Sequence, residues 1–380
     1  MGQNRKKNVY IVYENAKMKK VFLILINITL LISLFSNFFG CNLCPNSIDN
    51  STYQDELVIS YSALNGNSIL VLSNILSLSF REIISDVSVH SAFAENGDFC
   101  FIRKNYQNSY SAMFMGNIYT KNQKFLEVEN QIFSIINPVI SPKSNAIAFS
   151  GGDKELYIWV NNPITKTSYI DKITNSFLES SVPTFTSDGK FLCFLEQEQT
   201  ALTLSVIDIQ KPDETIKKFN FYGQNSIFGQ ETKLSITENG KIFFISNDEN
   251  NYYLNLIDLD NNSIIKNELS KNVLQITTGE ISWDSKKALL VSNDGVIWGV
   301  SFRNNSMKVF QLTKADNCSK YVDVRWKKNS NTFIAFRINC DNTIGNTKKL
   351  YLMSVDEGND EIKLGSNTYF SSNVVNAYWR

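Results

Sequence analysis

Histidine is nearly absent from this chain: its 380 residues contain one, His90. A hydrolytic Ser-His-Asp site would have to use His90, yet the sequence has no nucleophile-elbow motif, so we predict that His90 is not catalytic. Neither sign of charge is in excess, because Lys+Arg and Asp+Glu both number 37. Nucleic-acid-binding proteins normally carry a basic excess or a basic stripe, and the sequence therefore predicts no nucleic-acid partner.

Cysteine is also sparse, with six residues. Cys100 and Cys193 stand among Phe and Leu residues in β-rich runs, which predicts buried thiols in the hydrophobic core. Cys318 and Cys340 flank a predicted hairpin that turns at residues 328–331, so they should be near neighbours across it. In an exported protein this pair is a candidate disulfide, and two free thiols are the alternative.

No complete metal-binding motif is present. Residues 258–262 read Asp-Leu-Asp-Asn-Asn, which has the first spacings of a calcium loop. However, Ser263 stands where the tight turn needs Gly, and Leu269 stands where the loop needs a bidentate Glu. We therefore predict an ordinary turn here, no metal site and no cofactor.

The N-terminal segment has the pattern of an export signal. Met18-Lys19-Lys20 precedes an apolar run from residue 21 to residue 34, which is short for a stable transmembrane helix. Residues 1–17 lie outside this pattern, so either Met1 or Met18 is the true start. The polar residues 41–54 lack periodicity and predict a flexible tether.

Gly40-Cys41, at the end of the apolar segment, resembles a bacterial lipoprotein lipobox, whose Cys is diacylated and becomes the mature N-terminus. Phe38 and Phe39 depart from the usual Leu and small residue, as in the permissive lipoboxes of spirochaetes, and the residue usage fits an AT-rich bacterial genome. The resemblance implies lipidation at Cys41, and thus a chain anchored to a membrane without spanning it. A plain signal peptide and an uncleaved anchor are the alternatives.

A short phrase recurs seven times along the rest of the chain: an apolar or aromatic residue closes a strand, a polar turn follows, and a second β-rich run begins. Intervals of 47, 45, 51, 47, 43 and 53 residues separate the closing residues. A period of this length, with several strands and no helix per unit, indicates a β-propeller. The seven closing residues are Phe93, Ile140, Phe185, Ile236, Trp283, Trp326 and Trp379.

The turns carry the clearest motif. Asp188-Gly189 and Asn239-Gly240 lie between β-rich runs, where both residue types tolerate the positive φ of a tight hairpin. These phrases resemble the TolB-type, WD40-like propeller repeat, although the Gly-His and Trp-Asp signature of true WD40 repeats is absent. The resemblance covers nearly everything after about residue 54. It implies an all-β fold: a single β-propeller of four-stranded antiparallel blades over residues 55–380, after a signal over 1–40 and a tether over 41–54.

The two ends of the chain predict the blade count. Residues 56–61, 68–72 and 79–84 look like the outer three strands of a blade that lacks its inner strand, and residues 374–380 look like an inner strand with nothing after it. Placing the last strand in the first blade removes an open sheet edge. We predict seven blades closed in this way, with six or eight as the alternatives.

The leading functional hypothesis is a non-catalytic, lipid-anchored scaffold that binds other envelope proteins, in the outer membrane facing the periplasm. TolB and the propeller lipoprotein of the outer-membrane assembly machinery are the nearest analogies. The alternative is a surface-exposed lipoprotein that binds a host protein or a glycan, and a propeller enzyme is less favoured. The partner's identity, the oligomeric state and the binding face stay open at this point.

Overall fold

The computed structural model describes most of the chain after residue 55. The described residues are 56–62, 68–74, 79–87, 91–94, 96–104, 111–120, 123–126, 135–152, 155–162, 167–174, 178, 181–198, 201–226, 232–272, 274–303, 306–339, 348–358 and 361–379. They belong to one compact unit, Gln54–Arg380. Cys41, His90, Cys340 and the predicted signal and tether lie outside the described residues, so the predictions made for them remain predictions.

The described elements are β-strands. The first three, which pair in chain order, are β1 (Glu56–Ser62), β2 (Ser68–Asn74) and β3 (Ser79–Val87). Sheet 1 then contains β4 (Ser91–Phe93), β5 (Asp98–Lys104), β6 (Ser111–Asn117) and β7 (Gln123–Leu126). Sheet 2 contains β8 (Ile136–Ile140), β9 (Ala146–Ser150), β10 (Leu156–Asn162) and β11 (Thr167–Thr174).

The middle of the chain repeats this pattern. A short strand, β12 (Ser181–Val182), precedes sheet 3, whose strands are β13 (Thr184–Phe185), β14 (Phe191–Glu198), β15 (Ala201–Asp208) and β16 (Lys211–Tyr222). A second short strand, β17 (Thr232–Lys233), pairs in parallel with β12 and precedes sheet 4, formed by β18 (Ser235–Ile236), β19 (Ile242–Asn247), β20 (Asn251–Asp258) and β21 (Ser263–Ser270). Sheet 5 contains β22 (Ile276–Ile281), β23 (Lys287–Ser292), β24 (Ile297–Arg303) and β25 (Ser306–Gln311).

The last strands join the two ends of the chain in a seven-stranded closing sheet. It contains β26 (Ser319–Trp326), β27 (Thr332–Asn339), β28 (Lys348–Glu357) and β29 (Ile362–Trp379), followed by β1, β2 and β3. The first part of β29 pairs with β28, and its last residues pair with β1, where Trp379 lies opposite Leu57. The predicted pairing of the C-terminal strand with the N-terminal strands is therefore confirmed. The blade count stays a prediction.

Hydrophobic clusters fill the spaces between neighbouring sheets. Seven clusters of described residues follow one another in chain order: from β1–β3 to sheet 1, from each sheet to the next, and from β26–β28 back to β1 and the end of β29. Because each sheet is covered on both faces, its second strand contains a continuous apolar run. All residues of β9 and β23 are buried, for example. This succession of buried interfaces is that of a β-propeller.

The repeated phrase forms the same hairpin turn in successive sheets. After the inner strand, a Ser or Thr side chain accepts a hydrogen bond from the backbone at the start of the next strand, as Thr186 does from Phe191 N at 3.0 Å and Ser282 does from Lys287 N at 3.0 Å. The turn needs one residue with positive φ. Gly189 supplies it at 68°, whereas sheet 5 uses Ser285 at 59°.

One residue of the predicted repeat is out of register. Six of the seven predicted closing residues end the inner strand of their unit, but Trp283 lies two residues beyond the end of β22. Ile281 holds the equivalent place, since Ser282 makes the same turn contact as Thr186. The aromatic side chain of Trp283 suggested the wrong alignment, and with Ile281 both adjoining intervals become 45 residues.

The buried cysteines lie where the sequence predicted them. Cys100 in β5 and Cys193 in β14 are fully buried, and burial raises the pKa of both thiols, that of Cys193 to about 12.

The segment with the first spacings of a calcium loop is a turn. Residues 259–262 form the turn between β20 and β21, with Asp258 accepting hydrogen bonds from the backbone of Asp260 and Asn261. Among the described residues there is no helix long and apolar enough to cross a membrane.

Candidate functional site

Four charged side chains, from the short strand β17 and from two inner strands, meet near the axis of the propeller. They are Lys233 of β17, Glu280 of β22, and Asp323 and Arg325 of β26. Lys233 forms an ion pair with Asp323, although all of sheet 5 lies between their strands in chain order. Side chains of non-adjacent sheets can meet only where inner strands converge, so this charged cluster lies at the centre of the ring.

Asp323 is the hub of the cluster. Besides Lys233, it faces Arg325, whose Nη2 lies 3.4 Å from Asp323 Oδ2. Burial alone would raise the pKa of Asp323, but the attraction of Lys233 and Arg325 prevails and the pKa is lowered. Asp323 is therefore ionised at neutral pH, and it holds both cations in place.

Arg325 connects the charged cluster to the C-terminal strand, β29. Its Nη1 donates a 2.7 Å hydrogen bond to the carbonyl oxygen of Ala377, and its guanidinium lies 4.7 Å from the ring centroid of Tyr378. The hydroxyl of Tyr378 in turn accepts a 2.6 Å hydrogen bond from Asn376 Nδ2. The planar guanidinium thus uses both its edge and its face to connect β26 to β29.

Glu280 differs from Asp323 in its electrostatics. Its carboxylate accepts a 3.2 Å hydrogen bond from the backbone N of Trp326, and its own carbonyl oxygen accepts one of 3.2 Å from the Trp326 indole. Burial raises the pKa of Glu280 to about 7, more than Lys233 and Arg325 lower it. Glu280 can therefore gain or lose a proton near neutral pH, while Asp323 stays charged.

Among the described inner strands, the position of Glu280 and Arg325 differs in charge from one sector of the ring to another. Glu280 and Arg325 stand one residue before the end of their inner strands, and the equivalent residues of sheets 1 to 3 are Ala92, Val139 and Thr184. Those three side chains carry no charge. A ligand at the axis would therefore meet ionic groups on the side formed by sheets 4, 5 and the closing sheet.

The sequence reasoning did not identify this cluster. The available signal was a charged residue inside a β-rich inner strand, at a place where other repeats have an apolar or small residue. Because the repeat was aligned on Trp283 and not on Ile281, Glu280 was not compared with the equivalent residues of the other repeats. Six of the seven predicted repeat residues lie in the interfaces between sheets, and Trp283 lies at a turn. None of the seven belongs to the charged cluster.

The described residues do not test the predicted disulfide. Ser319 pairs with Asn339 in the β26–β27 hairpin, and Cys318 directly precedes Ser319 in the chain. Cys318 is exposed and carries a free thiol, and Cys340 lies outside the described residues. The disulfide stays a prediction.

Comparison with known proteins establishes the fold. No protein-family model and no curated protein sequence matches the chain. Solved structures do match. A protein from Lactobacillus plantarum has a TM-score of 0.59 at 8% identity, over 86% of this chain and 99% of its own. The β-propeller domain of Cps50 (Swd1) from Myceliophteria thermophila has a TM-score of 0.53 at 10% identity, over 74% and 92%. The β-propeller fold that the predicted resemblance implies is thereby confirmed.

The prediction that the chain is not an enzyme needs correction. A putative 6-phosphogluconolactonase from Bacteroides uniformis matches with a TM-score of 0.57 at 9% identity, over 87% of this chain and 100% of its own. A fold that this chain shares with such a protein does not exclude catalysis, so the propeller repeat cannot be used against an enzymatic role.

Proposed function

We propose that the chain is a lipid-anchored propeller of the bacterial cell envelope that binds another envelope protein at its charged cluster. Acylation at Cys41 would hold it in the outer membrane, facing the periplasm. The observation that carries the binding role is the ion pair between Lys233 and Asp323 across the axis. It gathers opposite charges in one sector of the ring, whereas the equivalent described residues of sheets 1 to 3 are uncharged.

The cluster is suited to recognition because it is fixed in place. Arg325 is held by Asp323, by the carbonyl oxygen of Ala377 and by the Tyr378 ring, so a partner need not order it on binding. The side chains of Lys233 and Arg325 remain 18% and 20% exposed, which leaves each of them surface for a partner. Partly desolvated ionic groups of this kind determine which partner is accepted.

Crosslinking in intact membranes, followed by affinity purification, tests the proposal. We expect the wild-type chain to recover an envelope protein, such as an outer-membrane assembly component, and Arg325→Gln to recover much less. Lys314→Gln, a change at an exposed lysine outside the cluster, is the matched control. Equal recovery with wild type and Arg325→Gln would contradict binding at the cluster, and recovery of lipid alone would contradict a protein partner.

Two further measurements test the location. Metabolic labelling with a radioactive fatty acid should mark the wild-type chain and not Cys41→Ser. Protease treatment of intact cells should leave a periplasmic chain whole. Degradation would instead favour a surface-exposed lipoprotein that binds a host protein or a glycan.

A second candidate is a hydrolase that acts on an anionic lactone, and the pKa of Glu280 near 7 favours it. Glu280 would accept a proton from water as the water oxygen adds to the lactone carbonyl. The proton would then pass to the ring oxygen as its bond to the carbonyl carbon breaks. Lys233 and Arg325 would bind the anionic group. Hydrolysis of 6-phosphogluconolactone that is lost in Glu280→Gln would support this candidate, and no hydrolysis above the spontaneous rate would refute it for this substrate.

A further inference from the structure

Two tryptophans and three lysines form a patch on the rim that carries the inner hairpin turns. We call it the tryptophan–lysine patch: Trp283, Lys286, Lys327, Lys328 and Trp379. Lys328 Nζ lies 4.3 Å from the ring centroid of Trp283, and Lys327 Nζ lies 5.5 Å from that of Trp379. One turn of the closing sheet thus reaches a tryptophan on each side of it.

The patch is rigid. Trp379 Nε1 donates a 3.0 Å hydrogen bond to the carbonyl oxygen of Arg325, and the carbonyl oxygen of Trp283 accepts one of 2.7 Å from the backbone N of Glu238. Both tryptophans remain partly exposed, and Lys286 and Lys328 are exposed. The rings of the two tryptophans and the neighbouring lysines are therefore accessible together on this rim.

Two acidic side chains near the patch lie beside Lys287, a buried lysine that is not part of the patch. Buried Lys287 forms an ion pair with Glu357, and its Nζ lies 3.9 Å from Asp284 Oδ2. Three lysines thus stand within one sector of the rim, although the whole chain has no net charge.

The chain enters the propeller beside this patch. β1 begins at Glu56, and its second residue, Leu57, pairs with Trp379. If Cys41 is acylated, 15 residues connect the lipid to β1, a length that spans at most about 50 Å when fully extended. The anchor would then leave the protein at the rim that carries the exposed tryptophans and lysines.

We propose that the tryptophan–lysine patch binds the anionic lipid surface of the membrane in which the chain is anchored. Tryptophan rings partition into the interface between headgroups and acyl chains, and lysines are attracted to anionic headgroups. Contact through the patch orients the propeller with its opposite rim away from the membrane. This inference rests on the proposed lipid anchor.

Vesicle binding of residues 41–380 with Cys41→Ser, a protein without the acyl chains and without the apolar run 21–34, tests the patch without the anchor. We expect it to sediment with vesicles of phosphatidylcholine and phosphatidylglycerol, and much less with phosphatidylcholine alone. Adding Lys286→Glu and Lys328→Glu should lower the partition coefficient at least about tenfold, since each lysine near an anionic surface contributes about 1 kcal/mol. The matched control is Lys124→Glu with Lys314→Glu, two exposed lysines outside the patch.

A second readout does not depend on charge. Brominated lipids should quench the tryptophan fluorescence of the bound chain, and Trp283→Phe should reduce that quenching. Equal binding to neutral and anionic vesicles, or an equal loss in the control pair, overturns the inference. The inference is also overturned if the chain binds no vesicles and the lysine variant recovers less crosslinked protein than the wild type. The patch would then be a site that binds protein. Fatty-acid labelling at Cys41 tests the lipid anchor independently. A failure of the proposed anchor can therefore be distinguished from a failure of the proposed membrane contact at the patch.

Discussion

The indole of Trp379 donates a hydrogen bond to the carbonyl oxygen of Arg325, 54 positions earlier in the chain. The same bond occurs one sheet earlier, from the indole of Trp326 to the carbonyl oxygen of Glu280. In both cases the last residue of an inner strand is bonded to the preceding inner strand. At Trp379 this bond lies beside the pairing of β29 with β1, so it reinforces the closure between the two ends of the chain.

We expect Trp379→Phe to lower the free energy of unfolding by about 1–2 kcal/mol. Phenylalanine retains most of the apolar area but leaves the carbonyl oxygen of Arg325 without the indole donor. Urea unfolding followed by circular dichroism measures the loss. Trp326→Phe should cost a similar amount, since its bond is equivalent. A Trp379→Phe protein as stable as the wild type would show that this bond does not contribute to closure.

Asp323→Leu should destabilise the protein by about 3 kcal/mol, because Lys233 and Arg325 would lose the carboxylate that pairs with both. The pair Lys233→Met with Asp323→Leu should recover part of that loss, as only Arg325 then lacks its partner. A double-mutant cycle of urea unfolding energies measures the coupling. Strictly additive losses would mean that the ion pair between Lys233 and Asp323 contributes nothing to stability.

Glu280 should make stability fall as pH rises. Its pKa is raised to about 7 in the folded protein, against about 4.5 for an unperturbed Glu, so the folded state binds the proton more tightly than the unfolded state. Its contribution is most favourable below pH 4.5 and is lost as pH rises to 7. Partial solvent exposure limits the change to about 1–2 kcal/mol.

Glu280→Gln measures this contribution. We expect the variant to lose that part of the pH dependence of the unfolding energy between pH 5 and pH 8, and to gain stability relative to wild type at pH 8. Asp323 titrates below its ordinary range, so it does not interfere in this window. A wild-type profile that rises with pH and is unchanged in Glu280→Gln would contradict the electrostatics described for the cluster.

Ser285→Gly should raise the free energy of unfolding by about 0.5–1 kcal/mol. Ser285 has a φ of 59°. This left-handed backbone conformation is sterically unfavourable for an L residue with a Cβ atom, and glycine adopts it without that cost. Sheet 3 has Gly189 at the equivalent place, so Gly189→Ser should have the opposite effect and serves as the reciprocal variant. Thermal unfolding of both proteins checks the pair, and the same direction of change in both would refute the explanation.

The sequence predicted the fold well because the propeller repeats local signals. Apolar runs such as Ala146 to Phe149 and turns such as Asp188-Gly189 act within one hairpin and recur at a regular interval. The charged cluster could not be predicted in this way. The contact between Lys233 and Asp323 joins two inner strands 90 positions apart, and no spacing along the chain encodes it. The tryptophan–lysine patch was hidden for the same reason, since Trp283, Lys328 and Trp379 belong to three different units.

Thiol reactivity should separate the cysteines into two classes. Burial and the raised pKa of Cys100 and Cys193 keep both as unreactive thiols, whereas Cys318 is exposed. With the reduced, folded protein, iodoacetamide should label Cys318 within minutes and the two buried thiols only after unfolding, as peptide mass mapping can show. The exported protein, mapped without reduction, then tests the predicted disulfide. If Cys318 is joined to Cys340, Cys318 should resist labelling until a reductant is added, and rapid labelling of Cys318 before reduction would rule that disulfide out.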